Sequence, residues 1–236
     1  ITTNAFGCAA VSDSVIVNVW PLPSSSIAYS GSSSFCIGDS VTLTADNDLI
    51  YFWSTGASTQ SITLHDSADV SVLLIDTNGC QTFIPSLLVF SLTLPDTSVT
   101  VSGATTFCYN DSVVFTAAAA DLYLWSNGAT TASVTVNQSG FYSVTVSNSS
   151  CYRQSAPVEI NVLPPPVVQI TSSNAFAFCN GDSTILDAGS AQNYLWSTGG
   201  TSQTFTVTDS GFYYVTITDF NGCTIQSDSI EINVLS

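Results

Sequence analysis

The chain has 236 residues, 45 % hydrophobic and only 8 % charged, and its 17 acidic residues face one base, Arg153, for a net charge of −16. A surface without lysine has almost nothing with which to release the counterions of a phosphate backbone, so nucleic acid is disfavoured as a partner, and anionic membrane surfaces with it. No run of about 20 apolar residues is present, which argues against membrane insertion.

The first 20 residues carry Cys8 and an alternation at Val15, Val17 and Val19 that aligns with Ile230, Ile232 and Val234, with Cys8 matching Cys223. They are expected to be the C-terminal hairpin of a preceding domain (1–20). A lone hairpin is marginal in water, so further repeats are expected upstream, among them the partner of Cys8.

From residue 21 one pattern is written three times, over 21–93, 94–163 and 164–236. Cys36, Cys108 and Cys179 are each followed 17 positions later by Trp53, Trp125 and Trp196, and a second cysteine closes each unit at Cys80, Cys151 and Cys223. Such a period marks an array of small domains. Within each unit strand alternation dominates. A less regular first strand (Ile27, Val99, Ile170) leads to Val41 and Leu43, or Val113 and Phe115. The pairs Tyr51/Trp53, Tyr123/Trp125 and Tyr194/Trp196 lie two apart, on one face of a strand. Ile62/Leu64, Val134/Val136 and Phe205/Val207 form the next element. Two more follow, at Val70–Leu74, Tyr142–Val146 and Tyr213–Ile217, and at Leu87/Val89, Val158/Ile160 and Ile230/Ile232. Six or seven short antiparallel strands per unit is the count of an immunoglobulin-like sandwich. The fold class is therefore all-β, tandem Ig-like β-sandwich domains with one disulfide per domain.

Domains of about 70 residues bury little surface and call for a staple. In-register pairing predicts Cys36 with Cys80, Cys108 with Cys151 and Cys179 with Cys223, each loop worth about 4 kcal/mol in the chain-entropy model. That chemistry belongs to an oxidising, extracellular setting; the competing reading is buried thiols or a zinc site, against which stand the missing CxxC pairs and neighbouring histidines. Asn78-Gly79 and Asn221-Gly222 are hairpin-turn signals directly before a cysteine, so the bridge is expected to tie loops at one end of the domain, apart from the Trp core. Pro21-Leu22-Pro23, Leu94-Pro95 and Pro164-Pro165-Pro166 mark short, stiff seams.

Catalytic constellations are absent from the pattern. His65 is the only histidine, its aligned positions are Asn137 and Thr208, and its neighbour Asp66 points to the opposite face of a strand. No catalytic residue and no cofactor is assigned. Asp76-Thr77-Asn78-Gly79 and Asp219-Phe220-Asn221-Gly222 are similar to the opening of a calcium loop, but they lack the closing Glu, the middle unit has Ser147, and turn chemistry accounts for the same residues. No metal ligand is assigned. The Tyr/Trp stripe reads as packed core in preference to a sugar-stacking platform.

The phrases Phe35-Cys36-Ile37-Gly38-Asp39-Ser40-Val41-Thr42-Leu43-Thr44-Ala45, Tyr194-Leu195-Trp196-Ser197-Thr198-Gly199, Ser210-Gly211-Phe212-Tyr213 and Asp219-Phe220-Asn221-Gly222-Cys223 resemble the Ig-like and PKD-like repeats of large surface proteins of Bacteroidota, many exported by the type IX system. Ala68 and Val70 depart from the Ser-Gly-Phe-Tyr motif, and Ser149-Ser150 from Asn-Gly. The resemblance implies an adhesin, motility or appendage component, or a spacer of a secreted enzyme. It also implies O-glycan attachment at Asp-Ser/Thr steps, here Ser14, Ser40, Ser67, Ser112, Ser183 and Ser229; the alternative is that Asp-Ser simply starts strands well.

The resulting expectation is a rod segment of an extracellular filament or cell-surface adhesin. Its predicted partners are copies of itself, bundled where salt screens the carboxylates, with cell-surface glycan or protein as the alternative. The rival functions are a ligand- or glycan-binding module and an accessory spacer of a secreted hydrolase.

Overall fold

The computed structural model describes every residue except Ser12, Ser25, Asp48, Ser149 and Ser236. Among the described residues all regular structure is β-strand, and no helix is long and apolar enough to cross a membrane. Contacts divide the chain into two compact units, Ile1–Leu94 with Ser149–Cys151, and Pro95–Asn148 with Tyr152–Ser236.

The first unit holds a sandwich. One sheet runs Ile27–Tyr29, Val41–Ala45, Ser61–Leu64 in spatial order, all antiparallel. The other runs Ser34–Cys36, Gln81–Leu92, Ala68–Ile75, Ile50–Trp53. Period-2 alternation sets which face is buried: Val41, Leu43 and Ala45 point in while Thr42 and Thr44 do not, because successive side chains leave opposite faces of a strand. Leu43, Trp53, Val72, Leu74 and Val89 form the core between the sheets.

The second unit repeats this plan twice. Val99–Val101, Val113–Ala117 and Ser133–Val136 make one sheet, and Thr171–Ser172, Thr184–Asp187 and Thr204–Val207 its counterpart. The opposing sheet is broken in both copies. Gly140–Tyr142 and Val144–Asn148 replace one continuous strand, as do Gly211–Tyr213 and Val215–Thr218. At the break a serine substitutes for the ladder: Val144 N–H donates to Ser155 Oγ (3.1 Å) and Val215 N–H to Ser227 Oγ (3.1 Å). Ala68–Ile75 meets the same irregularity in the first unit as a register shift between Val70 and Val72, the local signature of a β-bulge. Separate clusters around Phe115, Trp125 and Val144, and around Leu186, Trp196 and Val215, fill the two sandwiches.

The three repeat tryptophans are core, as the sequence indicates. Trp53, Trp125 and Trp196 are buried, and each indole N–H donates to a backbone carbonyl six residues on, Thr59 (2.9 Å), Thr131 (2.8 Å) and Ser202 (2.8 Å). A buried Trp needs that partner. The sequence reading missed a second device. Tyr142 and Tyr213 hydroxyls donate to the carbonyls of Gln138 (3.1 Å) and Asp209 (2.9 Å), the tyrosine corner of Ig sandwiches, and Val70 leaves the first repeat without it.

Residues 1–20 hold a short antiparallel strand pair. Thr2–Thr3 pairs with Ala9–Ala10, but Val15, Val17 and Val19 lie outside any strand and are exposed. Their equivalent, Ile230–Leu235, is held between Ala177–Cys179 and Gly211–Tyr213. Among the described residues no such flanking strands pair with Val15–Val19.

Candidate functional site

The cysteines define the most distinctive chemistry of the chain, and their pairing corrects the in-register scheme. Cys36 is bonded to Cys151 and Cys108 to Cys223, with Cα–Cα distances of 5.7 and 5.4 Å and the same sequence separation, 115. Cys8, Cys80 and Cys179 are free. The expected pairs Cys36–Cys80, Cys108–Cys151 and Cys179–Cys223 do not form, and the staple lies between repeats rather than one within each. Each bond joins the opening cysteine of one repeat to the closing cysteine of the next.

Strand geometry gives the reason. Each opening cysteine ends a short strand lying parallel to the last strand of its own repeat: Cys36 opposite Leu92, Cys108 opposite Leu163, Cys179 opposite Leu235. It therefore stands where the chain leaves the sandwich. In the first repeat the closing cysteine, Cys80, precedes that same last strand at its other end. In the others Cys151 opens the strand Cys151–Gln154 and Cys223 precedes Thr224–Gln226, one short strand ahead of the last. Gln81–Leu92 has 12 residues, so at roughly 3.3 Å per residue about 40 Å of strand separates Cys80 from the level of Cys36. A disulfide needs Cα atoms within about 7 Å.

Built turns hold both kinds of cysteine. After each opening cysteine the chain enters the left-handed region at Gly38 (φ 101°), Asn110 (φ 73°) or Gly181 (φ 95°). The following amide then bonds back to the cysteine carbonyl, from Asp39 (2.9 Å), Asp111 (3.0 Å) and Asp182 (3.0 Å). Around Cys80 and Cys223, one oxygen of Asp76 or Asp219 accepts from the amides two and four residues on, Asn78 (2.9 Å) and Cys80 (2.8 Å), or Asn221 (2.9 Å) and Cys223 (2.8 Å). Asn4 does the same for Phe6 and Cys8, at 3.1 Å each. The aspartates of the calcium-like phrases are thus engaged as Asx turns. No group of three His, Cys, Asp or Glu placed to hold a metal occurs among the described residues.

In the second unit the joint is doubled. Cys108, Cys223, Pro165 and Pro166 line one small hollow with Tyr109 and Ile225, so the proline seam and the sulfur bridge run beside each other. Cys151 and Cys223 are each 1 % exposed.

Of the remaining sequence candidates, Ser40, Ser112 and Ser183 directly follow the turn aspartates Asp39, Asp111 and Asp182, and Ser40 lines one hollow with Cys36. His65 and Asp66 are exposed, and so are Ser14, Ser40, Ser67, Ser112, Ser183 and Ser229. Ser67 Oγ bonds Ser91 Oγ (3.0 Å).

No family model matches the chain, and no curated protein matches it. Among solved structures it is similar to the N-terminal eight Ig domains of Down Syndrome Cell Adhesion Molecule (DSCAM) isoform 1.30.30, at 13 % identity over 89 % of this chain, with a TM-score of 0.48. The chain spans 36 % of that one's length. What the strands, cores and tyrosine corners define is a tandem Ig-like, disulfide-bonded β protein.

Proposed function

We propose that this chain is a structural segment of a long extracellular filament or cell-surface adhesin, three Ig-like sandwiches (21–93, 94–163 and 164–236) in series behind a leading hairpin, and that its sulfur bridges carry tension across the joints between sandwiches. The observation that supports this reading is the register of Cys36–Cys151 and Cys108–Cys223. A bond inside a domain stiffens that domain alone; a bond from one repeat to the next gives force a path that does not depend on the linker. Oxidised bridges suit an extracellular or surface location, and the resemblance of the repeated phrase supports a Bacteroidota protein exported by the type IX route. Self-association into bundles accords with the lysine-free, hydroxyl-rich surface once salt shortens the Debye length.

Pulling the chain by its ends tests the reading. With both bonds intact the covalent path from Cys36 to Cys223 runs through Cys151 and back along the 43 residues to Cys108, whereas without them it spans 187 residues. At about 3.6 Å per extended residue the released length between these points is about 15 nm oxidised and about 67 nm reduced. Equal lengths in the two states would sink the proposal.

A ligand-binding role is the second reading, favoured by one difference among siblings. On the outer sheet face the first repeat aligns Phe52, Leu73 and Phe83, where the others have Leu124, Thr145 and Gln154, or Leu195, Thr216 and Gln226. Phe52 and Phe83 are more than half exposed. Glycan or protein binding abolished by Phe52→Ser with Phe83→Ser would favour this reading over the rod.

A further inference from the structure

Two of the free thiols occupy positions that are bonded elsewhere in the same chain. Cys179 is an opening cysteine like Cys36 and Cys108, in the same parallel strand pair and the same left-handed turn. Cys80 is a closing cysteine like Cys223, in an identical aspartate-braced turn. Burial separates the free members from the bonded ones. Cys151 and Cys223 are fully buried while Cys80 is half-buried; Cys36 and Cys108 are half-buried while Cys179 is exposed. Each free cysteine is thus more exposed than the bonded cysteines in the equivalent positions.

We infer that Cys179 and Cys80 are complementary half-bridges for another repeat of this same architecture: Cys179 takes the closing cysteine of a repeat placed after it, and Cys80 the opening cysteine of a repeat placed before it. The occupant follows from the pairing rule, since the only partner that any opening cysteine takes here is the closing cysteine of the next repeat, at a constant separation of 115 residues. This inference rests on the tandem-rod reading and deepens it, because each sandwich then carries one bond to the repeat before and one to the repeat after. Two copies of this chain placed head to tail present Cys179 of one to Cys80 of the other. The oxidant is a small-molecule disulfide: a thiolate attacks it, one of its sulfurs leaves as a thiol, and the second protein thiolate displaces the other. Two protein thiols thereby lose two protons and two electrons, and the disulfide is reduced to two thiols.

The test uses the full chain with Cys36–Cys151 and Cys108–Cys223 intact, concentrated in a buffer of oxidised and reduced glutathione and mapped by non-reducing peptide mass spectrometry. A second arm uses the chain extended by a further copy of residues 164–236. The expected result is a Cys179–Cys80 peptide between copies in the first arm, or a bond from Cys179 to the closing cysteine of the added repeat in the second. Cys8→Ser leaves either bond in place, and Cys179→Ser removes it. Formation between copies and formation along one chain identify which source fills the site, and either supports the proposal. Glutathione caps on both thiols in both arms, or random pairing among Cys8, Cys80 and Cys179, overturn it. Because the force measurement depends only on the two existing bonds, a rod with inert free thiols would be recognised as such.

Discussion

Cys36 stands opposite Leu92 in a parallel strand pair, at the far end of the strand whose first residue, Gln81, follows Cys80. The two cysteines of the first repeat therefore belong to opposite poles of the sandwich, and the bond that Cys36 makes reaches Cys151 outside its own repeat. Cys108→Ser is expected to lower stability by about 2–5 kcal/mol and to free the otherwise buried Cys223 thiol for alkylation. Denaturant titration with thiol counting measures both. A Cys36–Cys80 peptide in the non-reduced, oxidised protein would contradict the pairing itself.

Leu186 and Phe205 face each other across one strand pair, and the equivalent partners are Phe115 with Val134 in the second repeat and Leu43 with Ile62 in the first. The large ring has changed strands while the pair keeps similar bulk. Phe205 also stacks on Trp196, with ring centroids 5.6 Å apart. Phe205→Val alone is expected to cost about 1–3 kcal/mol through the cavity it leaves, and Leu186→Phe alone a similar amount through overpacking. The double variant reproduces the second repeat's solution and is expected to lose less than about 1.5 kcal/mol. Thermal unfolding of all four proteins gives the coupling; strict additivity would show that the two positions do not share one space.

Those paired positions also show what the sequence makes legible. Alternation at Val41/Leu43 and its copies identifies inward faces because a strand has only two, and the 17-residue step from Cys to Trp marks the period. The partner of each cysteine is not legible in the same way. Register between repeats reveals equivalence, and equivalence suggests pairing inside a unit; which end of a sandwich Cys36 occupies depends on its parallel pairing with the last strand, 56 residues away in sequence from Cys36 to Leu92. The tyrosine corners had a visible signal in the Tyr of Ser-Gly-Phe-Tyr, four residues after Gln138 and Asp209, and their absence from the first repeat follows from Val70.

Tyr213→Phe tests one such corner. Removing the hydroxyl leaves the Asp209 carbonyl without its donor and is expected to cost about 1 kcal/mol. Burial, and secondarily the nearby Asp209 charge, hold the Tyr213 phenol above its ordinary pKa. The folded state thus prefers the neutral ring. This contribution is complete below about pH 10 and is lost as pH rises through the higher folded value. In alkaline unfolding followed by circular dichroism, wild type is expected to lose its advantage over Y213F as pH rises through that value.

Asp187 provides the acid-side counterpart. Its Oδ1 accepts from Gln203 Nε2 (3.0 Å) and from the Gly189 amide (2.9 Å), and these two bonds, the side-chain one first, hold the carboxyl below its usual range against a smaller opposing effect of burial. A depressed folded pKa means that the unfolded chain takes up the proton first as pH falls. The stabilisation is therefore fully present above about pH 4, the unfolded value, and disappears as pH drops through the folded one. Gln203→Ala removes the larger cause, so the Asp187 titration followed by carboxyl NMR is expected to move upward while remaining below the unfolded value through the Gly189 bond. An unchanged titration in Q203A would assign the depression to the backbone amide alone and leave Gln203 with only its place at the strand edge.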